Sequence, residues 1–597
     1  MSPQPSTGGG VALEPAIEQE LAAFEAKVEA YLRGEVPDAE FKPFRLTQGV
    51  YGQRQQGRNQ MVRIKIPFGG ITSDQMDRVA DLAEQYGSGI AHITTRQDFQ
   101  VHFVQLENTP AFLRSLAEAG LTTREACGNG VRNVCADDAA GVNPAEPFDV
   151  TPYAQAVSAF LLRHVKAQNL PRKFKINFSS DATDPGQTAI NDLGFIAKVK
   201  DAYGRRERGF EARVGGGLGP APTPAETLFE FIPVRDLLAV SEAVVRTFGR
   251  LGDRKNRNKA RIKFVLRKLG IVELRKEIEM DLEAVRSEPP LKEAPDLERL
   301  EREYSETEEV ASSSTGTPAG ERHPADEKGY ADWRSWNVLP QKQEGYYLVR
   351  VYIRLGDLDG PRLRRLAEIA RRYAGGRVRL TNDQNATLRW VRREDLQDLY
   401  GALKAAGLAQ ANVLTIADVT SCPGTTTCQL GITSSKGAAD VLTEHLEANA
   451  AKYLDVADVR IKLSGCPNAC GQHHIASIGL YGCAKPGEDG HMSPQYNLYL
   501  GGGIEPAGAV MGRMVGKVPT RRIPEVVDTL IGLYRKGRQG DERFNAWARR
   551  AEMREVKAAL DPLLEMPAFG KEPEFYFDWN EKEEFKLSDM GPGECAV

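Results

Sequence analysis

The chain has 597 residues, of which 41% are hydrophobic and 27% are charged, and its formal net charge is −4 at pH 7. This length exceeds what one hydrophobic core normally supports, so roughly two to four domains are expected. The composition is ordinary for a globular protein, and the small negative charge argues against a general nucleic-acid binder. No apolar run is long enough to cross a membrane, and residues 1–10 lack the charged-then-apolar profile of a signal peptide.

The first part of the chain is predicted to alternate helices and strands. Residues 13–33 carry apolar side chains at helical spacing, and Pro37 and Pro43 are expected to end that helix. Residues 61–67 alternate apolar and polar side chains, as a half-buried strand does. The elements expected next are a helix over residues 73–86, a strand over 90–94 and a strand around 101–104.

The same order of elements returns later in the chain. Strands are predicted over residues 348–354, 377–381 and 386–391, with a helix over 360–373. Identical residues recur at a constant separation of 287 positions, which indicates an internal duplication. Two such copies usually pack about a pseudo-two-fold axis and share a cleft. The matching pairs are Tyr86 and Tyr373, Gln97 and Gln384, Gly120 and Gly407, Cys135 and Cys422, and Lys175 and Lys462.

Four cysteines form two close pairs in the second copy. Cys422 and Cys428 are separated by five residues, and Cys466 and Cys470 by three. Both pairs lie in segments that contain Pro and Gly, which favours loops able to aim several ligands at one point. Four thiolates delivered in this way are what a cubane iron–sulfur cluster requires.

Three other interpretations of these cysteines stay open. Disulfide bonds need an oxidising compartment, whereas eight cysteines in a chain of this length indicate a reducing cytoplasm. Structural zinc is a second alternative, although its ligand pairs usually enclose roughly two to four residues. Unrelated buried thiols are the third alternative.

The two cysteine pairs, with the motif Gly-Cys-Pro-Asn-Ala-Cys-Gly at residues 465–471, resemble those of the assimilatory sulfite and nitrite reductases. In that family the four cysteines hold a [4Fe-4S] cluster, and the last thiolate also bridges to the iron of a siroheme. The resemblance therefore implies that Cys470 is the bridging ligand. It covers residues 42–282 and 345–536, and it implies an α+β, internally duplicated fold whose pseudo-two-fold related halves enclose a central cofactor cleft.

The predicted domain boundaries follow from these patterns. Residues 287–344, between the copies, are rich in Pro, Ser, Glu and Gly, so we expect an exposed linker there. The expected division is an N-terminal tail and helix (1–44), a ferredoxin-like half-domain (45–115), an anion- and siroheme-binding domain (116–286), the linker (287–344), a second ferredoxin-like half-domain (345–412), a [4Fe-4S] and siroheme domain (413–560) and a C-terminal tail (561–597).

The first copy carries cations, whereas the second carries the cysteine pairs. Four cations lie in short polar motifs, and singly such residues usually solvate a strand or its edge. By the resemblance they match, in order, the residues with which the family binds its substrate anion. Bidentate Arg and point-charge Lys suit a small oxyanion, and lysines can also supply protons. The candidate catalytic residues are Arg96, Arg132, Lys173 and Lys175, whose partners in the second copy are Asp383, Val419, Arg460 and Lys462.

Siroheme carries eight carboxylates, so a basic surface is expected to hold it. Residues 254–263 form the most basic segment of the chain, although an ordinary charged helix face or a docking patch for an acidic protein would look the same. By the resemblance, Arg261 and Lys263 meet the carboxylates. The other cofactor-binding candidates are Cys470, Arg54, Gln97, Gln384, Asn385 and Asn468, whereas Cys127, Cys135, Cys483, Cys595, His473 and His474 receive no predicted role.

The expected function is a six-electron reduction of sulfite to sulfide at a siroheme coupled to a [4Fe-4S] cluster. By the resemblance, sulfite reducers usually carry Lys at position 175, whereas plant-type nitrite reductases tend to carry Asn there. Nitrite reduction to ammonium is the alternative, and a non-catalytic iron–sulfur or zinc protein is a remote one. No dinucleotide or flavin module is recognisable, so electrons are expected from a separate ferredoxin or flavoprotein. A cytoplasmic monomer without nucleic-acid or membrane partners is expected.

Overall fold

The structure is a computed structural model that describes residues 13–55, 57–202, 205–313, 327–487 and 490–587. Within these residues the chain divides into two compact units, one built from 13–216 and 225–411, the other from 217–224 and 412–587. Cys595, residues 1–10 and the end of the C-terminal tail lie outside the described residues. No helix in the described part of the chain is both long and apolar enough to span a membrane.

The first unit opens with two helices. The predicted first helix is confirmed, and its Leu21, Phe24 and Val28 are buried. The first helix ends at Leu32, upstream of both Pro37 and Pro43. A second helix begins directly after Pro37 and contains Pro43, because burial of its apolar face offsets the lost backbone hydrogen bond. The first elements are α1 (Pro15–Leu32), α2 (Asp38–Thr47), β1 (Val50–Gly52), β2 (Asn59–Ile64), β3 (Gly70–Thr72), α3 (Ser73–Tyr86), β4 (Ile90–Ile93), β5 (Phe99–Gln105) and α4 (Thr109–Glu118).

A five-stranded sheet with flanking helices follows in the same unit. Its strand order is β10-β9-β8-β7-β6, in which β6, β7 and β8 run parallel and the other pairs antiparallel. Its apolar face packs against the helices in a core rich in Phe. The elements are β6 (Val131–Ala136), α5 (Thr151–Leu161), β7 (Phe174–Ser179), β8 (Leu193–Ala202), β9 (Arg205–Val214), β10 (Glu226–Pro233), α6 (Leu237–Leu251) and α7 (Ile262–Ser287).

The segment predicted as an exposed linker contains two helices. Trp333 is fully buried and packs against Tyr330 and Tyr400, while the hydroxyl of buried Tyr153 donates to Glu301. Aromatic contacts therefore hold this mostly polar segment against the rest of the first unit, so it is not exposed throughout as predicted. The remaining elements of the unit are α8 (Leu297–Ser313), α9 (Glu327–Asn337), β11 (Val338–Pro340), β12 (Tyr346–Val351), β13 (Asp357–Asp359), α10 (Gly360–Tyr373), β14 (Arg377–Leu380), β15 (Ala386–Arg392) and α11 (Leu396–Ala405).

The internal duplication is confirmed by a reciprocal exchange of strands. β13 pairs with β4, and β3 pairs with β14, so each sheet takes one strand from the other copy. The backbone N–H of Ser73 donates to Gly376 at 2.8 Å, and that of Gly360 donates to Gly89 at 3.0 Å. Left-handed backbone conformations also recur 287 residues apart. These pairs are Phe68 and Leu355, Gln97 and Gln384, and Phe103 and Trp390.

The second unit repeats the topology of the β6–β10 sheet. Its strand order is β16-β17-β18-β19-β22, and β16, β17 and β18 are again parallel. The elements are β16 (Thr420–Ser421), α12 (Ser435–Ala448), β17 (Ile461–Ser464), β18 (Ile478–Pro486), β19 (Met492–Leu500), β20 (Gly503–Glu505), β21 (Gly508–Val510), β22 (Arg513–Pro519), α13 (Ile523–Gly537), α14 (Phe544–Arg550) and α15 (Met553–Leu564).

Candidate active site and cofactor-binding residues

The two cysteine pairs leave the sheet of the second unit side by side. Cys422 directly follows β16, and Cys466 lies two residues after β17. These strands are parallel neighbours, with Ser421 opposite Leu463, so their carboxyl ends meet at one edge of the sheet. Parallel pairing therefore brings together two motifs that are distant in the sequence.

Small residues allow the two cysteine loops to touch. A Cβ on Gly465 would lie 2.7 Å from the Cα of Gly424, well inside normal contact. Gly424 itself has a φ of 57°, a conformation that glycine adopts without steric cost. Glycine at positions 424 and 465 therefore allows the backbones of the two cysteine loops to pack closely against each other.

The chemistry around the thiols fits a cluster. The Sγ of Cys422 accepts a hydrogen bond from the backbone N–H of Gly465 at 3.2 Å and lies 3.4 Å from the Oγ of Ser435. Burial, followed by the charges of Cys470, Cys422 and Cys428, raises the pKa of the Cys466 thiol well above its usual value. Four sulfurs that repel one another in this way need a cationic centre to hold them as thiolates.

Among the described residues, no group of three or more His, Cys, Asp and Glu side chains is placed to hold a metal ion. The case for a cluster therefore depends on the two cysteine motifs and on the neighbouring strands that deliver them to one edge of the sheet. Cys470 is exposed, so it is the thiol best placed to be shared with a second group.

Arg96 is fixed in the turn between β4 and β5. One Nη of its guanidinium donates to the Oδ1 of Asn177 and, at 3.0 Å, to that of Asn191. The other Nη donates to the carbonyl of Asn133. The Nε is buried and has no hydrogen-bond partner among the described residues, so neutral amides hold this cation without neutralising it.

Arg132 and Lys175 lie at the amino ends of the neighbouring parallel strands β6 and β7. The guanidinium of Arg132 donates to the carbonyls of Cys127 at 2.8 Å and Gly128 at 2.6 Å, so in this structure it braces the preceding loop. Burial, followed by Arg96, Lys173 and Arg261, lowers the pKa of Lys175 well below its usual value. The structure thus brings Arg96, Lys173 and Lys175 within electrostatic reach of one another.

Asp192 is a carboxylate whose negative charge opposes the fall in the pKa of Lys175. It is fully buried and accepts a forked pair of hydrogen bonds from Arg261, at 2.8 and 2.7 Å, together with the backbone N–H of Lys175 at 2.9 Å. Asp192 is a site residue that the sequence patterns do not predict. Its only signal is an acid directly before a buried strand, and its partners lie 17 and 69 residues away.

Lys263 completes the cation group. It is buried, and burial followed by the charge of Arg261 lowers its pKa to about 7. Burial lowers the pKa of both Lys175 and Lys263, and neighbouring cations lower it further, so a polyanion would relieve part of this repulsion. The residues present therefore fit the carboxylates of siroheme and a small oxyanion, and the individual roles stay predictions.

The polar cofactor candidates fall into two groups. The side chains of Gln97 and Gln384 are buried and donate to backbone carbonyls, at 2.6 Å to Ala136 and 3.0 Å to Ile93. Asn385 is also buried, and its Oδ1 accepts the backbone N–H of Ile353. These three side chains stabilise turns in the repeats. Arg54 is half-buried beyond β1, and Asn468 is exposed in the loop that carries Cys466 and Cys470.

Family comparisons cover most of the chain. The family described as "Nitrite and sulphite reductase 4Fe-4S domain" matches residues 127–285 and 414–567. The "Nitrite/Sulfite reductase ferredoxin-like half domain" matches residues 51–119 and 339–406. Both families match twice, as the duplication requires.

Individual relatives of the chain are named as nitrite or sulfite reductases. The "Ferredoxin--nitrite reductase, chloroplastic" of Arabidopsis thaliana is 31% identical over 74% of this chain and 71% of its own length. The "Ferredoxin--nitrite reductase" of Synechococcus elongatus is 29% identical over 82% of this chain and 87% of its own length. The "Sulfite reductase [ferredoxin] 1" of Mycolicibacterium paratuberculosis is 26% identical over 85% of this chain and 88% of its own length.

A solved structure shares the fold. The Mycobacterium tuberculosis NirA protein superposes with a TM-score of 0.74 at 24% identity, over 90% of this chain and 97% of that one. Together with the cysteine loops and the cation group, these matches show that the chain belongs to the nitrite and sulfite reductase family, an oxidoreductase whose cofactors are a [4Fe-4S] cluster and siroheme.

Proposed function

We propose that this reductase converts sulfite to sulfide with six electrons supplied by a ferredoxin. The observation that carries the proposal is Lys175, a lysine placed among Arg96, Lys173 and Arg261. Sulfite is a dianion with three oxygens, whereas nitrite is a monoanion with two. A further cation therefore has more charge to neutralise on sulfite.

Different residues of the chain would hold the cluster, the siroheme and the substrate anion. Cys422, Cys428, Cys466 and Cys470 would hold the cluster, and Arg261 and Lys263 would bind siroheme carboxylates. When bound, the cluster stores electrons and the siroheme delivers them to the oxyanion. Arg96 and Lys175 orient the anion by charge-assisted hydrogen bonds. A lysine whose pKa lies near 7, as that of Lys263 does, can also hold or release a proton at neutral pH.

The basic segment 254–263 serves two surfaces in this proposal. Lys255 and Lys259 are exposed, whereas Lys263 is buried beside Arg261. The outer lysines are available to an acidic ferredoxin, and the inner residues face the cofactor anions. Docking through the outer part weakens as salt screens the charges.

Nitrite reduction to ammonium is the second candidate. The relatives from Arabidopsis thaliana and Synechococcus elongatus carry nitrite reductase in their names. The same cations accept a monoanion, and the cofactors are shared. Substrate preference therefore depends on the cation count rather than on the metal centres.

The substitution Lys175→Asn is expected to shift the substrate preference towards nitrite. Loss of one charge-assisted contact costs about 1.5–3 kcal/mol, which is roughly a tenfold to more than hundredfold loss of kcat/KM for sulfite. The value for nitrite should change less. Steady-state kinetics with each anion and one reduced ferredoxin measure this ratio.

The matched control is Lys166→Asn, which removes a lysine from an exposed turn and should leave both values unchanged. The sulfite assignment is wrong if nitrite gives the higher kcat/KM in the unmodified protein and Lys175→Asn does not move the ratio further.

A further inference from the structure

Residues 573–587, here called the tail segment, pack against the sheet of the second unit. Phe575, Tyr576 and Phe585 are all less than 9% exposed. The backbone N–H of Phe585 donates to the carbonyl of Tyr576 at 2.9 Å. A Cβ on Gly487, which directly follows β18, would lie only 2.4 Å from the hydroxyl oxygen of Tyr576. The tail segment is therefore a fixed part of the unit that contains the four cysteines.

Asp578 in the tail segment is a buried acid, 2% exposed. Its Oδ2 accepts the backbone N–H of Ser434 at 2.7 Å, and its Oδ1 accepts that of Trp579 at 2.8 Å. Ser434 directly precedes α12, so this carboxylate caps the helix from a distant part of the chain. A buried carboxylate is costly unless it is hydrogen-bonded. The contact therefore fixes the start of α12 and the tail segment against each other.

Trp579 anchors the tail segment on both sides of Asp578. The guanidinium carbon of Arg521 lies 3.8 Å from the centre of a Trp579 ring, and one Nη of Arg521 donates to the carbonyl of Phe577 at 3.3 Å. The indole N–H of Trp579 donates to the carbonyl of Thr520 at 3.3 Å. A Cβ on Gly437, in the first turn of α12, would lie 2.8 Å from the Cβ of Trp579. The helix and the tail segment are thus in direct contact.

Residues 431–435, which lead into α12, touch both cysteine loops. The backbone N–H groups of Ile432 and Thr433 donate to the carbonyl of Gly465, at 2.8 and 3.1 Å. Gly465 directly precedes the second cysteine pair. The N–H of Thr425, which lies within the first pair, donates to the carbonyl of Thr433 at 3.2 Å. The segment that Asp578 holds is therefore the one against which both cysteine loops are placed.

Ser435 brings this segment to a sulfur atom. Its side chain is fully buried, its hydroxyl donates to the carbonyl of Cys422 at 2.9 Å, and its Oγ lies 3.4 Å from the Sγ of Cys422. A thiolate has no proton to give, so the hydroxyl is the donor once Cys422 is a ligand. Hydrogen bonds to the sulfurs of a cluster help to set its reduction potential, and they raise it because they stabilise the added electron.

We propose that Asp578 is a positioning residue, which holds Ser435 at the sulfur of Cys422 and thereby raises the reduction potential of the [4Fe-4S] cluster. All the contacts that support this role lie in the second unit. Asp578 acts through the backbone of Ser434 and through the neighbouring Ser435. Both candidate substrates take their electrons from the same cluster, so this role does not depend on which anion is reduced.

The first test is the holoenzyme variant Ser435→Ala. We expect the ratio of reduced to oxidised cluster at a fixed potential to fall roughly 3- to 10-fold, as loss of one hydrogen bond would cause. A tenfold change corresponds to about 59 mV for a one-electron couple. A dithionite titration without sulfite or nitrite, followed by electron paramagnetic resonance, measures the midpoint potential.

The second test repeats Ser435→Ala in an Asp578→Ala background. If Asp578 positions the hydroxyl, removal of the hydroxyl should then shift the potential by less than half as much. The negative charge of Asp578 also acts on the cluster directly, but this effect is the same with and without the hydroxyl and cancels in the double-mutant cycle. A role of Asp578 in overall stability would not change the size of the Ser435→Ala shift.

Two matched controls separate these effects from general ones. Ser493→Ala removes another fully buried hydroxyl, which donates to the carbonyl of Lys485 at 2.9 Å, and should leave the potential unchanged. Glu584→Gln removes a negative charge from the same tail segment, where Glu584 pairs with His491 at 2.6 Å. In that background Ser435→Ala should give its full shift.

The proposal is refuted if Ser435→Ala leaves the potential unchanged, or if its shift is undiminished in the Asp578→Ala background. If Asp578→Ala does not retain the cluster, Trp579→Ala serves as the background instead. It keeps the carboxylate and removes the ring that Arg521 holds, so the shift should again shrink, and an undiminished shift refutes the proposal. A preference for nitrite overturns only the sulfite assignment, because the potential is measured without either anion.

Discussion

Replacing Cys470 with serine is expected to remove both metal centres and activity together. By family resemblance this thiolate is shared between the cluster and the siroheme, and it is the exposed member of the four cluster cysteines. Even outer partners of metal sites are worth roughly 10–100-fold in affinity or activity, so loss of a shared ligand should exceed about 100-fold in turnover. Iron content, visible absorption and sulfite-dependent oxidation of ferredoxin measure the effect.

Two other cysteine variants make the result specific. By family resemblance Cys422 would hold only the cluster, and a serine oxygen in Cys422→Ser can partly replace such a ligand. Cys483→Ser alters a half-buried thiol on β18 and should leave both centres intact. The assignment fails if Cys470→Ser keeps siroheme, cluster and turnover while Cys422→Ser loses them.

Asp192→Asn is expected to lower the free energy of unfolding by about 3–5 kcal/mol, because it leaves the buried guanidinium of Arg261 without its counter-charge. The carboxylate is fully buried, and the Arg261 side chain is 11% exposed. Urea unfolding followed by fluorescence measures the loss in the transition of the first unit. Cofactor content should fall as well, because Arg261 loses its fixed position.

Asp81→Asn is the control for burial. Asp81 pairs with Arg364 at the same distance of 2.7 Å, but the two side chains are 55% and 36% exposed. Exposed pairs contribute about 0–1 kcal/mol, so this variant should unfold almost as the unmodified protein does. Equal unfolding of both variants would show that Asp192 does not anchor the cation group.

Local patterns made the duplication and the cysteine pairs predictable. The helix expected over residues 73–86 has those bounds in the structure, because its apolar spacing and its start are encoded within the segment. The cysteine motifs were informative because each contains its own ligands and turn residues. Their convergence needs only two neighbouring parallel strands.

Long-range partners could not be predicted in the same way. Asp192 acts through Arg261, 69 residues away, and nothing in the local sequence pairs them. Gln97 and Gln384, two of the polar candidates for binding the siroheme, recur 287 residues apart. The structure shows that both occupy left-handed turns and bond to backbone carbonyls, so the duplication also repeated residues that the turn itself requires.

The central claim, a siroheme and [4Fe-4S] reductase, is tested most directly by the metal content and absorption of the purified protein. We expect porphyrin-type visible absorption and more than four iron atoms per chain, because the siroheme iron adds to the four of the cubane. A colourless protein that holds one zinc ion on Cys422, Cys428, Cys466 and Cys470 would contradict it.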